Sequence, residues 1–121
     1  MSHKAIIATA ICTLFLTGCA GNKPLYHWGS YQQLVLDSYT APGKADAATQ
    51  IEKLTTDIQQ ARDSGQNIAP GVHAQLGLMY AEQGQAASSL ASFEQEKRLF
   101  PESTQFINGL INRANTTGTA Q

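Results

Sequence analysis

The chain has 121 residues, 8 of them Lys or Arg and 9 Asp or Glu, for a formal charge of −1. That length suits one domain. A near-neutral balance with no basic run excludes a face built to neutralise nucleic-acid phosphates or to grip anionic lipid by charge alone. The first segment is a targeting signal and not part of the fold. His3 and Lys4 open it with a basic lean, and Ala5 to Leu16 is apolar apart from Thr9 and Thr13. About a dozen apolar residues cannot span a hydrocarbon core of about 30 Å, which takes roughly 20 in a helix, so the run reads as the hydrophobic region of a secretion signal.

Directly behind it stand Leu16, Thr17, Gly18 and Cys19. This quartet at the end of an apolar run resembles the lipobox of bacterial lipoproteins. The resemblance implies that signal peptidase recognises Leu16, Thr17 and Gly18 and cuts before Cys19, that the Cys19 thiol carries a diacylglycerol, and that the new amino group is acylated. An ordinary secretory signal cut near Ala20 and Gly21 is the alternative. Acyl chains hold a protein on a membrane because each buried methylene contributes about 0.8 kcal/mol. Ala at position 20, where Asp would retain a lipoprotein at the inner membrane, implies by the same resemblance the outer membrane, with the domain facing the periplasm. With Cys12 in the signal and Cys19 lipidated, the mature part has neither a free thiol nor a disulfide, and its fold must rest on its core.

Residues 19–24 form a short polar tether, followed by an aromatic segment with Leu25, Tyr26, Trp28 and Tyr31. Ser30 and Gln33 have the spacing of a capping box, which predicts a helix from Tyr31 to about Tyr39 with Tyr31, Leu34, Val35 and Tyr39 on one face. Ala41-Pro42-Gly43 breaks it. Ile51, Leu54, Ile58 and Ala61 then recur at helical spacing between Glu52, Lys53, Asp57 and Arg62, which predicts an amphipathic helix over 46–64, with Gly65 as its C-terminal cap. These two helices could make a first hairpin. After a loop from Gln66 to Ala69, Pro70 suits the first position of the next helix.

From there the spacing is more specific. Leu76 and Gly77 are adjacent, Tyr80 follows three residues on, Gly84 stands at a turn, Phe93 lies in a second helix and Pro101 closes it. The pattern resembles the tetratricopeptide repeat, a helix-turn-helix unit, over about residues 70–102. The resemblance implies that Gly77 lets two helices approach, that Leu76, Tyr80, Leu90 and Phe93 fill the seam, and that Pro101 ends the second helix. His73, Ser89 and Glu96 depart from it, standing where the repeat has an aromatic residue and two alanines. A single repeat cannot bury both faces, so a last helix capped by Ser103 and carrying Phe106, Ile107, Leu110 and Ile111 is expected to close the stack. The expectation is an all-α short stack of helical hairpins over 25–114, after a signal at 1–18 and a tether at 19–24, with a flexible tail at 115–121.

Taken together, the Tyr26 to Tyr31 segment, Ile51 to Leu54, Leu76-Gly77 with Tyr80, Phe93 to Lys97 and Phe100 to Ser103 resemble a family of short bacterial lipoproteins of unknown function. Members of that family are typically encoded beside a lipoprotein similar to the curli secretion channel. The resemblance implies an envelope protein partner and supplies no activity.

Chemistry-bearing patterns are sparse. His27 and His73 have no acidic or histidine partner at metal-ligand spacing, no nucleophile elbow nominates a serine, and no glycine loop cradles phosphate. No catalytic residue, metal or cofactor is therefore expected, and the chain reads as a non-enzyme. Glu94 and Glu96, two apart on a helix, do not face each other, and with Lys97 and Arg98 they read as a solvated face. Two surfaces qualify for partner contact. Tyr26, Trp28 and Tyr31 form either an exposed patch or a cap on the first hairpin's core. Ala74, Leu78 and Ala81 line either the concave side of the stack or a contact with Ile51, Leu54 and Ile58. The favoured function is protein binding as an accessory or assembly factor for an envelope complex. The alternative is a small-ligand carrier or envelope-remodelling protein, which would need a pocket with convergent polar groups.

Overall fold

The computed structural model describes residue 21 and residues 23–118. Cys19 and the Leu16-Thr17-Gly18 motif lie outside them. The chain runs β1 (Tyr26–His27), α1 (Tyr31–Thr40), α2 (Ala47–Asp63), β2 (Asn67–Ile68), α3 (Val72–Glu82), α4 (Ala86–Leu99), a 3-10 turn (Pro101–Ser103) and α5 (Thr104–Gly118). It is an all-α stack, as expected, with one two-residue parallel bridge. No described helix is long and apolar enough to cross a membrane.

Local chemistry sets most of the boundaries. The Asp46 carboxylate accepts the Thr49 N–H at 2.7 Å and starts α2, and Gly65, at φ 65°, follows its C-terminus. Pro70 does not begin α3. The expected loop instead pairs in parallel with the aromatic segment, Tyr26 opposite Asn67 and His27 opposite Ile68, and the Ala69 N–H donates to the His27 carbonyl. This pairing holds Asn67 and Ile68 extended, and a turn through Pro70 and Gly71 follows, so the helix starts only at Val72. α5 continues to Gly118, into the segment expected as a tail.

α3 is the shared element. Val72 and Leu76 on one side join Leu34, Leu54, Ala61, Ile68 and Ala69 in a first core, with Tyr26, Tyr31, Ile51, Ile58 and Tyr80 packed against it. Ala74 on the other side joins Phe93 of α4 and Ile107 of α5 in a second, flanked by Leu110 and Ile111. The closest helix pair is α3 with α4, where a Cβ built on Gly77 would stand 2.6 Å from the Phe93 ring. Several apolar residues are not where periodicity puts them: Tyr39 is 83% exposed, and Leu90 and Phe106 also face outward. Helical spacing gives each a face, but α1, α4 and α5 are each covered on one side only.

Candidate functional site

Two helix starts without a side-chain cap of their own take a carboxylate from another helix. The N-cap of α3 is Gly71, in a left-handed conformation at φ 92°, where a side chain would also run into the Tyr31 hydroxyl. Glu96 of α4 takes over the role from across the seam. One carboxylate oxygen accepts the Gly71 N–H at 2.7 Å and the other the Ala74 N–H at 3.2 Å, and the nearby His73 amide also favours the charge. Glu96 is 1% exposed, so the expected solvated face is wrong at this position. Burial pushes its carboxyl above the ordinary value, the three amides pull it back, and Glu102 adds to the rise. Tyr31 is also raised, first by burial and then by the charge of Glu96.

α1 starts in the same manner. Ser30 makes no cap with its side chain, so the expected capping box does not form. Its N–H and hydroxyl instead donate to the Asp57 carboxylate at 2.8 and 2.6 Å, and the Gln33 amide donates to Asp37. Asp57, expected on the solvent side of α2, is buried because it reaches back to the turn before α1. Asp37 is buried too. Its carboxyl is held below the ordinary value by the Gln33 hydrogen bond and then by Lys44, which approaches to 3.1 Å.

The structure brings the three aromatic candidates together. Tyr26 meets Phe100 edge-on at 6.1 Å and Trp28 edge-on at 6.5 Å, and Trp28 stacks on Tyr31 at 6.4 Å. Such geometries suit the ring quadrupoles. Tyr26 and Tyr31 are half-buried against the first core, while Trp28 stays exposed. The segment thus closes the core through two tyrosines and presents the indole outward. His27 beside them has a buried Nε2 with no hydrogen-bond partner among the described residues.

The second candidate row divides. Ala74 is buried against Phe93 and Ile107, on the side of α3 away from α2, so it does not pack on Ile51, Leu54 and Ile58. Leu78 is exposed. Ala81 opens into a cleft of about 300 Å³ where the α3–α4 turn meets α5, lined also by Gly84, Ala86, Ser89, Leu90, Phe93, Ile111 and Asn115. Spacing alone does not reveal this cleft, because Ile111 and Asn115 of its wall come from α5. None of the lining side chains titrates, and the Ser89 hydroxyl already donates to the Gly77 carbonyl at 2.7 Å. The arrangement can bury apolar groups and offers no proton donor or acceptor for acid–base chemistry. His73 is buried in α3, its pKa lowered by burial and then by Arg62. Among the described residues no group of three or more His, Cys, Asp or Glu could hold a metal.

A family model described as domain of unknown function (DUF4810) matches residues 25–110. No curated protein and no solved structure matches the chain.

Proposed function

We propose that this chain, which belongs to the DUF4810 family, is an outer-membrane lipoprotein anchored through acyl chains on Cys19, and that its helical stack binds another envelope protein as an accessory or assembly factor. The observation that carries the binding reading is the cleft between the α3–α4 turn and α5. Its wall is mostly apolar, and Leu90 stands in it 48% exposed. A partner's apolar side chain or helix edge would find there the kind of recess that anchors interfaces. The Gly77 to Phe93 seam, the turn at Gly84 and the stop at Pro101 support a tetratricopeptide-like hairpin as the binding scaffold, and the lipoprotein resembling the curli secretion channel is the partner proposed. The proposal is for binding, without a catalytic step.

A small-ligand reading has one point in its favour, since about 300 Å³ reaches the lower end of ligand-pocket volumes. A ligand site would also need several polar groups converging on the ligand, and the wall offers only Ser89 and Asn115. Crosslinking and affinity capture from the native envelope test the favoured reading. The wild type is expected to capture an envelope protein, Leu90→Glu to stay on the membrane and lose that partner, and Cys19→Ala to leave the membrane. Reproducible capture of nothing by the wild type, or unchanged capture by Leu90→Glu, overturns the proposal.

A further inference from the structure

One surface is left out of both cores and of the cleft. Positions 32, 35, 36 and 39 of α1 share a face by helical spacing; Leu36 is 53% and Tyr39 83% exposed. The only charged residue of α1, Asp37, is buried with Gln33 and Lys44, so this outer face carries no charge. It runs on through Tyr31 to the exposed Trp28 stacked on it, and the tether side of β1 adds Leu25, 72% exposed. Leu25, Trp28, Leu36 and Tyr39 stand in solvent with the uncharged Gln32 among them, and no charged side chain covers this face as on an ordinary water-facing helix.

We infer that this face rests on the interface of the lipid bilayer that carries the anchor, an inference that depends on the lipidation of Cys19 proposed above. Reach is the first argument. Six residues from Cys19 to Leu25 extend at most about 21 Å, so with Cys19 in the lipid Leu25 and the β1 end of the domain stay within that distance of the bilayer. Composition decides which face. Trp and Tyr collect at the depth of lipid headgroups, where an amphipathic ring is half solvated, and the exposed Lys23 can extend its ammonium toward lipid phosphate. Affinity need not be high, because a short tether raises the effective concentration of the surface at the bilayer. A contact too weak to recruit a free domain then suffices to orient a bound one. With α1 down, the protein-binding cleft, built from α3, α4 and α5, belongs to other elements and is left for a partner.

Trp28 is the only tryptophan of the chain, so its emission reads the contact directly. The processed protein, purified from membranes and reconstituted into phosphatidylcholine vesicles, is compared with the same protein in vesicles whose acyl chains are brominated near the headgroup. Contact at the interface is expected to quench Trp28 about twofold or more. The double variant Leu36→Gln, Tyr39→Gln, at two exposed positions, is expected to lose most of the quenching with an unchanged circular dichroism spectrum. Mass spectrometry of the same sample reads Cys19. An unmodified cysteine overturns the anchor and this inference with it, whereas an acylated protein equally bright in both lipids overturns this inference alone. Emission that follows the protein-to-lipid ratio and ignores bromine would mean that a second copy covers the face, which also overturns it.

Discussion

The two halves of the stack solve one problem with the same device and in different surroundings. Both α1 and α3 begin without a capping side chain, and both borrow a carboxylate from a later helix: Asp57 for Ser30, 27 residues on, and Glu96 for Gly71, 25 residues on. Asp57 accepts an N–H and a hydroxyl from a single residue in a turn at the edge of the first core. Glu96 sits inside the α3–α4 seam, accepts only amides, and has its pKa raised by burial. The first ties a surface loop down, while the second holds the central helix that both cores share. The difference teaches that a cap can come from far along the chain, and that its weight depends on what its helix supports.

The largest effect expected is therefore at Glu96. Glu96→Ala strands buried amides of Gly71 and Ala74 and leaves a void, for a loss of about 3 to 5 kcal/mol, which would consume much of a typical domain's stability. Denaturant unfolding checks it, and a loss under about 1 kcal/mol would remove Glu96 from its central role. Next comes the seam that brings Glu96 within reach. Gly77→Leu forces a side chain into the Phe93 ring and should cost about 1 to 3 kcal/mol through overpacking. Thermal unfolding indistinguishable from wild type would contradict the close approach.

These two residues also mark the boundary of what the amino-acid pattern discloses. The Leu76-Gly77 pair and Phe93 were readable because a glycine facing an aromatic ring is a local signature repeated at a known spacing. The helix of residues 47–63 is readable from its apolar period, and that of 86–99 from the resemblance to the repeat. Glu96 was not, although Ser89, Phe93, Glu96 and Phe100 share the buried side of α4. Its charge spoke for solvent, and only the uncapped start of a distant helix explains its burial. Asp57 was missed for the same reason, three residues after Leu54 on the core side of α2. Tyr39, Leu90 and Phe106 fail in the opposite sense, since periodicity assigns a residue to a face without saying whether anything covers it. The β1–β2 bridge is two residues long and joins segments about 40 residues apart, below any local signal.

A milder substitution sharpens the contrast. Asp57→Ala removes the acceptor for Ser30 and should cost about 1 to 2 kcal/mol, the usual range for a lost cap. Its mark should be local: faster hydrogen exchange in the first turn of α1, with the α3–α4 seam as protected as before. Equal loss of protection in both regions would mean that the two clamps belong to one cooperative unit and that the contrast between them fails.

The smallest effect separates the clamps by pH. The Glu96 carboxyl is raised in the fold, so between the ordinary carboxyl value and its elevated one the folded state holds more protons than the unfolded chain, and stability falls as pH rises. The contribution is fully present below the ordinary value and is lost through the elevated one. Asp37 and Asp46, both lowered by hydrogen bonds, act with the opposite sign and lose their contribution as pH falls. His73, lowered by burial, also favours the higher pH. A bare pH profile mixes these, whereas the difference between wild type and Glu96→Gln isolates one group, because the amide keeps the shape and cannot titrate. Because the amide resembles the protonated carboxyl, the stability of wild type relative to Glu96→Gln, read from melting temperatures, should be greatest below the ordinary carboxyl value and should fall as pH rises through the Glu96 window. A gap that stays constant across it would mean that Glu96 ionises as easily inside the seam as in water, and that burial sets no cost on the cap it provides.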